Sequence, residues 1–169
     1  LDAAGNTYVT GSFTGTASFG SIELNSGTEE IFVAKYNQAM ELVWAKQVGG
    51  PGPDRGNSIS ADAGGNTYVT GAFSGTATFG SYQLVASGGF DMFLAKFNAV
   101  GDVVWAKTAG SASIDAEAGA AVKVDAAANV YVTGHFAATT SFGTTDLTSA
   151  GGTDIFITKY SASTGDVLW

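Results

Sequence analysis

The sequence predicts an all-β fold, a segment of a β-propeller made of about three four-stranded antiparallel blades. Three observations predict it. The 169-residue chain repeats itself at offsets of 60 and then 63 residues. Each repeat holds four short strand signals. No stretch sustains the 3.6-residue apolar period of an amphipathic helix. Four strands per unit, in units that stack face to face, describe propeller blades. The competing solenoid folds, such as a parallel β-helix, repeat every ~20–30 residues. A β-sandwich does not require near-identical internal repetition.

The first strand of a unit is read at residues 57–61 and 120–124. Residues 116–121 have a helix-like composition, but they fill this same slot in the third repeat and read as loop running into strand. Each first strand enters an Asp-x-x-x-Asn turn that opens at Asp2, Asp62 and Asp125. Asp, Gly and Asn suit such a turn because they bond locally to the backbone or tolerate positive φ. The second strand is Tyr-Val-Thr-Gly-x-Phe, starting at Tyr8, Tyr68 and Tyr131. Over the twelve residues from the Asp to this Phe, the first two copies are identical at ten positions.

A Gly/Ser/Thr-rich connection of about 15 residues is expected next, carrying Phe19-Gly20, Phe79-Gly80 and Phe142-Gly143. This Phe-Gly block is expected to pack one blade on its neighbour, the Gly marking close backbone approach. The third strand reads Ile31-Phe32-Val33-Ala34, Met92-Phe93-Leu94-Ala95 and Ile155-Phe156-Ile157-Thr158. It is apolar on both faces, which fits burial between two blades. A short turn leads to the fourth strand, around Trp44, Trp105 and Trp169. This is the expected outer edge, where Lys46 and Lys107 would discourage foreign pairing.

Eighteen of the 20 aromatic residues fall at six repeated positions, with only Tyr82 and Phe90 outside them, and five of the seven basic residues are also repeat positions. Composition narrows function further. Net charge is −8, with 7 basic and 15 acidic residues, and the sequence pI is about 4.3. A nucleic-acid backbone binder needs clustered Lys and Arg, so that class is excluded. The absence of Cys removes disulfides, thiolate nucleophiles and Cys-based metal sites. No apolar run reaches the ~18 residues of a membrane helix. Hydrophobic content of 45% supports a packed core, while the 13% charged fraction is about half the usual share.

At Asp-x-x-Gly-Asn-x-Tyr-Val-Thr-Gly-x-Phe, then Phe-Gly, then Asp-Ile-Phe-Val-Ala-Lys-Tyr, then Val-Leu-Trp-Ala-Lys, the chain resembles the SBBP repeat, the seven-bladed β-propeller repeat of secreted and surface proteins of bacteria. The resemblance covers essentially the whole chain. It departs at Ala128 for Gly, Glu30 for Asp, Thr158 for Ala, and Met40-Glu41 for Gly-Asp. It implies a binding or scaffolding role at an extracellular or cell-surface location, and it says little about chemistry.

The alignment divides the chain into blade one at 1–53, with its first strand mostly missing, blade two at 54–115 and blade three at 116–169. About two and three-quarter blades result, and propellers close with about 4–8. The expectation is an excerpt of a larger protein, whose partners are the remaining blades of the parent chain; assembly of further copies into one ring is the alternative.

Arg55, the only Arg, is a ligand-binding candidate together with Asp54 and Asn57, because residues entering the first strand face a propeller's channel. The counterpart of this segment is read as Asp115-Ala116-Glu117-Ala118. Trp44 and Trp105 are candidate sugar platforms, set against packing between blades. Asp2, Asp62 and Asp125 are turn formers first; calcium is the alternative, although each turn has one carboxylate and one Asn where a calcium loop alternates several ligands. His135, the single His, stands at a Ser12/Ala72 position with no nucleophile motif. Glu29-Glu30 lacks the separation of a glycosidase couple. The segments at 25–29, 85–90, 108–117 and 148–153 differ most between repeats and are expected to be loops, where function on repeat scaffolds tends to sit.

The expected function is a non-enzymatic scaffold or binding module that presents loops to a protein or glycan, without cofactor. The alternatives are a propeller lyase or glycan-active hydrolase whose catalytic residues lie in other blades, and a structural subunit of a surface layer or filament.

Overall fold

The computed structural model describes residues 1–114 and 117–169. Ten strands and no helix occur among them. They are β1 (Thr7–Phe19), β2 (Ile22–Tyr36), β3 (Leu42–Val48), β4 (Asp54–Ala61), β5 (Thr67–Phe79), β6 (Tyr82–Phe97), β7 (Val103–Ala109), β8 (Ala118–Val124), β9 (Asn129–Phe142) and β10 (Thr145–Ser161). They form three antiparallel sheets, ordered β1-β2-β3, β4-β5-β6-β7 and β8-β9-β10. The fold is all-β, one four-stranded propeller blade between two three-stranded ones, and the sheets do not close on one another; the fourth strand expected around Trp169 is not formed, Trp169 lying outside the strands. The expected boundary between blades two and three, at 115 and 116, lies outside the described residues.

The middle blade shows how the sequence makes two seams from one sheet. Side chains alternate across a strand. Phe93, Ala95 and Phe97 therefore join Ile31, Val33 and Trp44 in one core against blade one. Met92 and Leu94 join Val122, Val130 and Val132 in the other core, against blade three. Strand β6 is apolar on both faces because both faces meet a neighbour. Strand β7 lies at the sheet edge, as expected.

The connection read as loop is strand. In each blade the second and third strands form one long hairpin, closed by Phe19↔Ile22, Phe79↔Tyr82 and Phe142↔Thr145. Gly20, Gly80 and Gly143 turn it with φ of 59°, 59° and 63°, which glycine adopts without a Cβ clash. The Phe before each Gly stacks inside its own blade, 5.0, 4.9 and 4.7 Å from Phe32, Phe93 and Phe156. Phe79 and Ala77 also enter the core shared with blade one, so the hairpin arm is part of the seam.

The segments 25–29, 85–90 and 148–153 are likewise not free loops. They lie within β2, β6 and β10, where the register breaks opposite Phe13/Gly15, Ser74/Thr76 and Ala137/Thr139. The differences between repeats are bulges of differing length in a continuous hairpin.

Candidate functional site

The Asp-x-x-x-Asn turns repeat one pattern. Asp2 Oδ1 accepts the amides of Ala4 and Asn6, both at 2.9 Å, and Oδ2 accepts Asn6 Nδ2 at 2.8 Å. Asp62 and Asp125 do the same with Gly64, Asn66, Ala127 and Asn129. Partial burial raises the Asp2 carboxyl, but the hydrogen bonds from Asn6, Tyr8 and Ala4 outweigh it and bring the pKa down to about 2. Among the described residues no three His, Asp or Glu side chains gather as a metal cluster. These carboxylates are occupied in building the turn.

The indoles fill the seams. Trp44 and Trp105 are buried, and each Nε1–H donates to a carbonyl of the following blade, Ala99 O and Ala162 O, both at 3.2 Å. Lys35 and Lys96 donate to the same two carbonyls at 3.4 and 2.8 Å while lying over Tyr8 and Tyr68. Gly101 and Gly165 make room for the rings, since a Cβ at either would stand within 3.0 Å of indole carbon. Trp44 and Trp105 are therefore packed walls and offer no open face to a sugar. Trp169, with no blade against it, is exposed beside Tyr131.

Asp54, Arg55 and Asn57 point in different directions. Asp54 is fully buried and caps the crossing from blade one, accepting Gly50 N at 2.6 Å and Ser74 N at 3.2 Å. Asn57 Nδ2 donates to Gly119 O of blade three at 3.0 Å. Arg55 and Asn57 are exposed, and Arg55 makes its contacts at the surface of the first seam. Its Nε meets Glu29 Oε2 at 2.8 Å, its guanidinium lies 5.3 Å over the Phe90 ring, and Glu29 Oε1 accepts Ser12 Oγ. Arg55, Glu29 and Phe90 thus gather three non-repeated side chains across a seam.

The counterpart of Asp54 is two residues further on than the sequence reading placed it. Gly56 pairs with Gly71 and Gly119 with Gly134, which aligns Asp54 with Glu117 and Arg55 with Ala118. Asp115 and Ala116 lie outside the described residues. His135 sits on β9 in the ladder between Ala118 and Ile155.

Sequence reasoning missed two recurrent features. One is a cleft at the edge of each seam. The first, of 330 Å³, is lined by Lys46, Gly80, Ser81, Phe97, Asp102 and Val103 among others. The second, of 220 Å³, is lined by the equivalents Lys107, Gly143, Thr144, Tyr160, Asp166 and Val167. An ion pair crosses each cleft, Lys46–Asp102 at 3.7 Å and Lys107–Asp166 at 3.0 Å. The expected edge-guarding lysines thus reach the next blade.

The other is a pair of acids at each seam, Glu30 with Asp54 and Asp91 with Glu117. Burial, the largest influence, pushes Asp54 up to about 6; the Gly50 and Ser74 amides oppose it, and the Glu30 and Glu29 charges add to it. Glu30 and Asp91 are raised by burial. Glu117 is raised by burial too, against its bond from Ser111 and with the Asp91 charge.

Among known proteins, the family model of the SBBP β-propeller repeat matches residues 43–72, from the last strand of blade one into the second strand of blade two. No curated protein matches the chain.

Proposed function

From a chain that carries a β-propeller repeat, we propose a non-enzymatic scaffold of bacterial extracellular or cell-surface type, presenting its seam edges and bulges to a protein or glycan ligand. The observation that carries this reading is the use made of the repeat. The residues that look most like a site, the recurring Trp and Lys, hold each blade to the next. What is left for recognition is the non-repeated Arg55–Glu29–Phe90 group and the two seam clefts.

The same pattern supports a further blade as partner, supplied by the parent array or by another copy. Ile31 and Val33 are fully buried by blade two, and Met92 and Leu94 by blade three, whereas the equivalent Ile155 and Ile157 are 86% and 61% exposed. An open apolar sheet face of this kind marks an interaction surface.

The test pairs analytical ultracentrifugation with a glycan array on the 169-residue chain. The reading expects self-association that Ile155→Glu abolishes, and array binding that Arg55→Ala or Lys107→Ala weakens at least tenfold. A monomer that binds no glycan and captures no protein would refute it, as would turnover of a glycan substrate.

A further inference from the structure

The acid pair recurs at both described seams, built each time from the third strand of one blade and the start of the next blade's first strand. At the first seam Glu30 stands on β2 and Asp54 at the start of β4. At the second Asp91 stands on β6 and Glu117 just before β8. The long and the short acid change places between seams, so each pair contains one Glu and one Asp and spans the same reach. A glycine accompanies each pair. A Cβ on Gly49 would stand 2.5 Å from Asp54 Oδ2 and 2.8 Å from Glu30 Oε2, and a Cβ on Gly110 would collide with the Asp91 carboxylate.

Asp54, Asp91 and Glu117 are each 0% exposed. At the second seam Asp91 Oδ2 accepts Ser87 N at 2.8 Å, and Glu117 Oε1 accepts Ser111 Oγ at 2.6 Å and Thr140 Oγ1 at 3.5 Å. Asp91 Oδ1 and Glu117 Oε2 are buried with no hydrogen-bond partner. The groups facing this pair among the described residues are thus the hydroxyls of Ser87, Ser111 and Thr140 and the amides of Ser87, Gly88 and Ala137, and no cation is among them. Around the first pair, the Gly50 and Ser74 amides bond Asp54, Gln47 bonds Glu30 and the Glu29 charge bears on Asp54, while the Arg55 guanidinium is engaged with Glu29 at the surface.

Glu30 is partly buried, so the second pair is buried on both sides and the first on the Asp54 side. Where two carboxylates share a site and at least one is buried, the like charge and the lost solvation favour holding a proton. A protonated carboxyl also gains an O–H donor, and a second carboxylate in the same site supplies an acceptor for it. We infer that each blade seam is held by a carboxyl–carboxylate pair sharing one proton, so that the seams are tightest in mild acid and loosen as that proton is lost. The proton leaves to water and returns from it, and no other reactant is needed.

The sign follows from linkage. A carboxyl raised in the folded state stabilises below its unfolded pKa, and the stabilisation is lost as pH rises through the folded value, about 6 for Asp54. Asp2, Asp125 and Asp166 are lowered, so their stabilisation is lost only as pH falls below the ordinary carboxylate range. Stability therefore peaks between these windows, at about pH 4–5, and falls toward about pH 7.5.

The experiment is thermal unfolding of the full chain from pH 3 to 8, wild type against Asp91→Asn, Glu117→Gln and Asp54→Asn. Wild type should lose roughly 5 °C in Tm between pH 5 and 7.5, and each neutral isostere should flatten that slope and raise Tm at pH 7.5. Should a variant fail to fold, difference infrared spectra of wild type between pH 5 and 7.5 read the same event as loss of a protonated-carboxyl stretch. A Tm that rises or stays level from pH 5 to 7.5 overturns the inference. So does a Tm raised by calcium and lowered by chelator in wild type but not in Asp91→Asn, which would make the pair a cation site.

Discussion

One residue type placed three times gives a mutation with its own controls. Trp105→Ala removes an indole that is 4% exposed, stacked 6.1 Å from Tyr68 and fitted against Gly165. Emptying a buried Trp costs about 3–5 kcal/mol in lost transfer energy and residual cavity. The Nε1–H bond to Ala162 O adds about 1 kcal/mol at most. That carbonyl keeps Lys96 Nζ at 2.8 Å, so no acceptor is orphaned and the total stays near about 4 kcal/mol. For a chain of this size each kcal/mol moves Tm by about 2–4 °C, giving a fall of roughly 8–16 °C. Trp169→Ala truncates a ring that is 59% exposed and held by Tyr131 alone among the aromatic rings, so it should cost under about 1 kcal/mol. Far-UV circular dichroism through thermal and urea unfolding measures both. If Trp169→Ala destabilises as much as Trp105→Ala, or if Trp105→Ala costs under about 1 kcal/mol, the indoles do not hold the seams and the argument fails.

Two further predictions use the repeat in the same way. Gly71→Ala drives a methyl into the backbone carbonyl of Arg55 on the paired strand, whereas Gly11→Ala meets only the Phe32 ring edge, at 2.8 and 3.0 Å. Urea midpoints should show Gly71→Ala losing about 2–3 kcal/mol and Gly11→Ala less than half of that, and equal losses would contradict the geometry. Ala128 holds φ of 59° at the turn position where Gly5 and Gly65 hold 77°. Ala128→Gly should therefore gain about 0.5–1 kcal/mol despite the greater freedom of the unfolded chain, and a loss of stability in calorimetry would show the turn to be unstrained.

The fold was legible because repetition multiplied a weak signal. One Tyr-Val-Thr-Gly-x-Phe is a strand candidate; three at fixed offsets, each with Phe-Gly and Trp partners, define a blade. The Asp-x-x-x-Asn turns were legible because their chemistry is local, with every partner within six residues of the Asp. The hairpin arms were not, because residues 14–18 and 74–78 are small and mostly polar, and lack the apolar contrast that marks a half-buried strand. The acid pairs stayed hidden for two reasons. Glu and Asp exchange places, which conceals the recurrence, and Asp115 stands near enough in sequence to be mistaken for the counterpart of Asp54. Counting 63 residues from Asp54, the offset that carries Asp62 to Asp125, lands on Glu117. The role of Trp105 was out of reach for a plainer reason: its acceptor lies 57 residues away in the chain.

That last distance has a kinetic consequence. Many of the hydrogen bonds that dock one blade on the next join residues about a single repeat apart, and others cross shorter distances: Trp44 to Ala99 spans 55 positions, Lys96 to Ala162 spans 66, the Ser58 and Ser60 hydroxyls meet Val122 and Val124 amides 64 positions on, and Arg55 meets Glu29 across 26. Loop closure grows costly with the separation to be closed, and long-range pairing slows folding. Here the separation stays at one repeat however many blades follow. Each newly synthesised blade finds its docking surface already folded on the ribosome-distal side, and an array of such blades can lengthen by duplication without lengthening the search that folds it.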